Sequence, residues 1–263
     1  MRANASSVLQ VFEQAPRLAL RPFVQRFMVV EFPSVHHDTH LPDTGPVAAF
    51  SFRGGCRLDG REWAPPAAFT GLRETLRAHE HCDEHAVLLA TFTPVGAAAF
   101  LRPPLEEFVG TTADLAEILG HPDELDRLHE QLGEAENHGR RIRLLENFLL
   151  TRIRVSAPDP LVGAAVAWLE QRTGAHRIDD LTRYIGLSQS ALERRFRRVV
   201  GVSPKKFASV VRLRRAVRLH NTVADFTAVA HAAGYFDQSH FINDFRRATG
   251  SAPEAFFRAT QMK

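Results

Sequence analysis

Two stretches of this chain, 49 residues apart, are variants of one pattern. Ser188-Gln189-Ser190-Ala191-Leu192-Glu193-Arg194-Arg195-Phe196-Arg197-Arg198-Val199-Val200-Gly201 recurs as Asp237-Gln238-Ser239-His240-Phe241-Ile242-Asn243-Asp244-Phe245-Arg246-Arg247-Ala248-Thr249-Gly250. Pro204 and Phe207 match Pro253 and Phe256 beyond them. Read as helices, Leu192, Phe196 and Val199 share one stripe, and so do Phe241, Phe245 and Ala248, because positions four and three apart lie on one face. Ser188 and Asp237 are good N-caps and the two glycines good stops. A shorter helix precedes each: Asp179/Asp180 to Ile185, then Gly186-Leu187-Ser188; and Phe226 to Ala233, then Gly234-Tyr235-Phe236-Asp237. One helical hairpin with a solvated face is commonplace, but a duplicated one whose polar faces also match is far more restrictive.

The side away from each phenylalanine is polar and basic, which is how a helix-turn-helix presents side chains to the major groove. The first recognition helix offers Ser190, Glu193, Arg194 and Arg197, with Gln189 at its start. The second offers Ser239, His240, Asn243, Arg246 and Arg247, with Gln238 at its start. Arg194 has the planar fork for guanine O6 and N7; Glu193 can accept from cytosine N4 or orient Arg194; Asn243 can read adenine N6 and N7. Gln189 suits a backbone phosphate better than a base. Asn243 brings no charge, and Asp244 follows it, so the first motif is expected to dominate affinity. Charge divides accordingly. Residues 161–263 hold 17 Lys+Arg against 8 Asp+Glu, and residues 1–160 hold 16 against 22. The basic half is the one that would meet phosphate.

Gly234-Tyr235-Phe236-Asp237-Gln238-Ser239-His240-Phe241, with Phe245-Arg246, Gly250 and Pro253, resembles the signature of the AraC/XylS family of bacterial transcription regulators, over about residues 161–260. The resemblance implies a DNA-binding domain of seven helices, two helix-turn-helix motifs (179–200 and 226–248) and a long joining helix, here Pro204–His220. It also implies double-stranded DNA and RNA polymerase as partners, with activator or repressor left open, and a regulatory domain that takes a small-molecule effector or a second copy of the chain; the low cysteine count of the chain points to a reducing cytoplasm.

Before the linker Ser156-Ala157-Pro158-Asp159-Pro160 the pattern differs, so the expected division is 1–157 and 158–263. Residues 20–95 read as β-rich, with strands at Val47–Phe52 and Val87–Phe92 and a hairpin turn at Asp59-Gly60. Residues 96–155 read as helical, with Ile142, Leu145, Phe148, Leu149 and Ile153 on one side of a helix over 141–155 that would form a dimer contact or pack on the strands. Leu41-Pro42-Asp43 and Phe92–Phe100 resemble the cupin-like sensor domain of one branch of the family, although Thr44-Gly45 stands where that branch has Gly-Cys. The expected class is α+β: a small N-terminal β-barrel with helices, then an all-α domain with two helix-turn-helix motifs.

Cys56 and Cys82 are too few for a disulfide framework. No apolar run spans a bilayer. No glycine-rich phosphate loop or nucleophile elbow is present, so no catalytic residue or cofactor is expected. His79-Glu80-His81-Cys82-Asp83-Glu84-His85 is rich in metal-ligand types, and His36, His37 and His40 could add to it. The run falls where an exposed hairpin is expected, between strands at Leu72–Leu76 and Val87–Phe92, and the reading assigns it no metal.

Overall fold

A computed structural model of the chain describes residues 9–172, 177–220 and 225–261. All ten strands among them pair antiparallel, in two sheets. The larger has six, in the order β1 (Gln10–Gln14), β2 (Val24–Glu31), β9 (Ala86–Phe92), β4 (Val47–Arg53), β7 (Ala67–Thr70), β10 (Thr112–Asp114). The smaller has the order β3 (His36–His40), β8 (Arg77–His81), β5 (Cys56–Leu58), β6 (Glu62–Trp63). Alternation along the strands separates two apolar faces. Phe27 and Val29 point into a core with Phe50, Phe69, Leu88 and Phe92, closed by α1 (Leu115–Leu119), α2 (Pro122–Glu134) and α3 (His138–Leu150). Val30, Phe32 and Val87 form a small cluster on the opposite face, where Phe32 stacks on His81 of the smaller sheet at 3.7 Å.

Several expectations need correcting here. Leu72–Leu76 is not a strand, and the histidine run is not an exposed hairpin: its first half is β8, and His81 is buried. β1 and β10 lie outside the stretch read as β-rich. Only three residues separate α2 from α3, because Asn137 caps α3 by accepting from the Arg140 amide. The apolar side of α3 (Ile142, Leu145, Leu149) is consumed by packing on the six-stranded sheet.

From Pro160 on, every described element is a helix. Asp159 caps α4 (Pro160–Gln171) by accepting from the amides of Leu161 and Val162. Then come α5 (Ile178–Ile185), α6 (Gln189–Val200), α7 (Pro204–His220), α8 (Phe226–Ala233), α9 (Gln238–Thr249) and α10 (Pro253–Gln261). The sheet-rich unit and the all-helical unit are the α+β combination expected from the sequence.

The two units touch closely. The core around Phe196 and Phe207 takes in Leu72 from the β7–β8 loop, with Val95, Ala98 and Val109 packed against it. At Gly201 (φ +100°) an added Cβ would stand 3.1 Å from Leu105 O and from Val109 Cγ2, so glycine serves both the turn and the close approach. Glu74 pairs with Lys206 on α7 at 2.6 Å, the Leu76 amide donates to Ala248 O on α9 at 2.7 Å, and Asp43 pairs with Arg214 on α7 at 2.5 Å.

Candidate nucleic-acid interface

The two motifs are built alike. Gly186 (φ +75°) and Gly234 (φ +93°) end α5 and α8 in the left-handed conformation that lets the chain turn back at once. Ser188 accepts from the Ala191 amide at 3.4 Å, and Asp237 from the His240 amide at 2.7 Å, so each recognition helix starts on a capping side chain. Phe196 and Phe245 are both 0% exposed. Phe196 meets Phe207 edge to face at 5.6 Å, and Phe245 meets Phe256 likewise at 5.4 Å. The repeated Phe–Pro–Phe spacing of the sequence thus corresponds to a repeated aromatic clamp between a recognition helix and the helix after it.

Anchoring one side fixes the other. On α6, Gln189, Ser190, Arg194 and Arg197 are exposed and Glu193 is half-buried; Gln189 Nε2 lies 3.5 Å from Glu193 Oε1. On α9, Gln238, Ser239, His240, Asn243, Arg246 and Arg247 are all exposed. Ser190, Arg194 and Arg197 form one outward row at i, i+4 and i+7, and Ser239, Asn243 and Arg246 form its counterpart. Gln238 is oriented by Thr227, whose hydroxyl donates to Oε1 at 3.2 Å, and the His240 ring sits edge-on to Tyr235 at 5.3 Å. Arg195 leaves the row to pair with Asp159 at 2.5 Å, and Arg247 lies 3.3 Å from Asp244.

Asp244 is where sequence reasoning fell short. It does not stand beside Asn243 at the surface as a charge opposing phosphate. It is 7% exposed and accepts from Ser209 Oγ on α7 at 2.8 Å, Tyr235 Oη at 3.3 Å and Arg247 Nη1 at 3.3 Å. Burial first, then the Asp244 charge, raise the Tyr235 pKa, so the phenol stays a donor to that carboxylate. The inward spacing was available in the sequence: Asp244 lies three residues after Phe241, directly before Phe245. Burial, and then the Asp38 charge, push the Cys56 thiol up to about 12.

Residues 181–259 match the family described as a helix-turn-helix domain. Over 96 residues the chain is 29% identical to the HTH-type transcriptional activator RhaS of Pectobacterium carotovorum subsp. carotovorum, covering 36% of this chain and 34% of that protein. It therefore spans about a third of the length of the curated relatives it matches. Among solved structures, the DNA-binding domain of AdpA in complex with a target DNA is 30% identical, covering 40% of this chain and 95% of that one, with a TM-score of 0.37. ToxT from Vibrio cholerae is 10% identical, covering 95% of this chain and 97% of that one, with a TM-score of 0.48. No helix among the described residues is long and apolar enough to cross a membrane. The matched helix-turn-helix domain and the 29% identity to RhaS over 96 residues make the C-terminal part of this chain similar to regulators of that kind, in agreement with the AraC/XylS resemblance of its sequence.

Proposed function

We propose that this chain is a sequence-specific regulator that lays α6 and α9 in successive major-groove segments of double-stranded DNA, about one turn or ~34 Å apart on one face. The observation that carries this reading is the pair of matched outward rows, Ser190/Arg194/Arg197 and Ser239/Asn243/Arg246, each held by a buried phenylalanine on the far side of its helix. Arg194 reads guanine, Glu193 accepts from cytosine or steadies Arg194, and Asn243 reads adenine. Gln189 and Gln238, at the helix starts, take backbone phosphates, as do Arg197, Arg246 and Arg247, while Ser190, Ser239 and His240 add shorter contacts.

Residues 158–263 then form the DNA-binding domain and residues 1–157 the regulatory one. RhaS is by name an activator, and we extend that sign, with RNA polymerase as the partner acted upon in the cytoplasm, to this chain. The regulatory domain works through an effector or a second copy of the chain. Its apolar interior is close-packed: the gap among Phe50, Phe69, Phe92, Phe100, Leu115 and Phe148 measures about 20 Å³, room for one water. An effector entering at that gap must open the core around it.

Genome-wide mapping of bound DNA supplies the operator, and Arg194→Ala then tests the assignment. The substitution is expected to cost ~1–3 kcal/mol at the cognate site and to relax one base position, whereas Arg246→Ala should weaken all sequences alike and reduce the salt dependence. Binding unchanged by Arg194→Ala would remove α6 from the groove.

A further inference from the structure

We propose that the four-stranded sheet carries a site for one divalent cation of the zinc class, held by Asp38, His79 and His81. Asp38 on β3 stands directly opposite His79 on β8, and His81, two residues further along β8, points to the same face. One ligand atom from each lies within 4.8 Å of the others. Asp38 Oδ1 is 3.6 Å from His79 Nδ1, and Asp38 Oδ2 is 3.5 Å from His81 Nε2. These separations are long for hydrogen bonds. They match the edge of a tetrahedron about a zinc ion, roughly 3.3 Å for bonds of about 2.0–2.1 Å.

The second observation is at His81. It is 6% exposed, and its Nε2, turned toward Asp38, is buried without a hydrogen-bond partner. The neighbour it faces is the Asp38 carboxylate, 3.5 Å away and beyond a good hydrogen bond, and a cation between the two would take the lone pair of His81 and the charge of Asp38 together. The rest of the ring is already fixed. Phe32 stacks on one side at 3.7 Å, and Nδ1 lies 2.8 Å from His85 Nδ1, whose Nε2 lies 3.1 Å from Ser51 Oγ. Two sets of tautomers satisfy this chain. In one, Ser51 Oγ–H donates to His85 Nε2, His85 Nδ1–H donates to His81 Nδ1, and His81 Nε2–H faces Asp38. In the other, which a cation selects, His81 Nδ1–H donates to His85 Nδ1 and His85 Nε2–H to Ser51 Oγ, so that the lone pair of His81 Nε2 faces Asp38. A histidine ligand whose other nitrogen donates to an outer partner is the usual arrangement of a metal-bound imidazole. Two nitrogens and a carboxylate leave a fourth position, beside which His40 Nε2 stands 3.2 Å from Asp38 Oδ1 at the exposed edge.

The test uses the full chain without a histidine tag, stripped with chelator and titrated with Co²⁺, whose visible absorption reports tetrahedral nitrogen and oxygen ligands, followed by displacement with Zn²⁺. One equivalent is expected to bind. His79→Gln and Asp38→Asn, which keep side-chain size, should each weaken binding by on the order of 100-fold, and His85→Phe by about 10–100-fold through the outer partner. His37→Ala, exposed on the opposite side of β3, should change nothing. Circular dichroism of the metal-free proteins separates lost ligands from lost fold. Absence of stoichiometric binding, or affinity retained by both His79→Gln and Asp38→Asn, overturns the proposal.

Discussion

Phe245→Ala is expected to destabilise the second helix-turn-helix unit by about 3–5 kcal/mol, the range for emptying a well-packed aromatic site. Phe245 is fully buried among Leu213 and Ala216 of α7, Tyr235, Phe241 and Phe257, and no residue of the sheet-rich unit belongs to that cluster. The loss should therefore stay local. Hydrogen exchange should speed up across α8 to α10 while the strands keep their protection, and DNA affinity should fall because the outward row of α9 no longer has a fixed back. Phe196→Ala removes the same side chain from the other copy with a different result. Its core includes Leu72 and adjoins Val95 and Val109, so a similar cost should appear in the main unfolding transition of the whole chain. Denaturant unfolding of both variants measures this. Two identical, global losses would mean that the two cores are not separate.

Asp244→Ala should cost about 2–3 kcal/mol. Hydrogen bonds to a charged acceptor are worth more than neutral ones, and removing this acceptor strands a half-buried donor at Ser209 and a buried one at Tyr235. Tyr235→Phe should cost about 1 kcal/mol, since it removes one donor and leaves the carboxylate its others. Because both residues serve one network, Tyr235→Phe made in an Asp244→Ala background should be nearly neutral. The alternative is an acid that merely repels phosphate. In that case Asp244→Ala would leave unfolding unchanged and raise affinity for every DNA sequence alike, which is the outcome that would sink the structural role.

The helical half was legible because its signals are local and repeated. Ser188 and Asp237 cap, Gly186 and Gly234 turn, and a phenylalanine recurs at one spacing, so helix boundaries fall within a residue or two of those read from the sequence. In the sheets, long-range pairing decides, and the sequence carries less of it. β1 has Val11 and Phe12 exposed on an edge and shows no alternation of burial. β3 is His-His-Asp-Thr-His, a composition that says loop, and it is a strand because β8 offers it a ladder. The same pairing carries Asp38 across from His79, forty-one residues away in the chain, which is why a histidine run alone gave so little indication of a site. Arg194 and Asn243 were placed outward correctly by helical period. Asp244 was misjudged by attention to its charge over its position on the inner stripe.

The loop from Leu72 to Leu76 holds one further implication. It plugs into the core of the first motif at Leu72, grips α7 at Glu74, and reaches the last turn of α9 through the Leu76 amide. On the reading proposed above, the two reading helices are thus indexed against a common third body and cannot swivel independently. Inserting one base pair between two half-sites displaces one of them by about 3.4 Å and rotates it by roughly 35°. A pliable pair of readers would follow such a shift, whereas a pair pinned in this way must let go of one half or break the pin. On that reading, tolerance for operator spacing is set by a segment that belongs to the other unit.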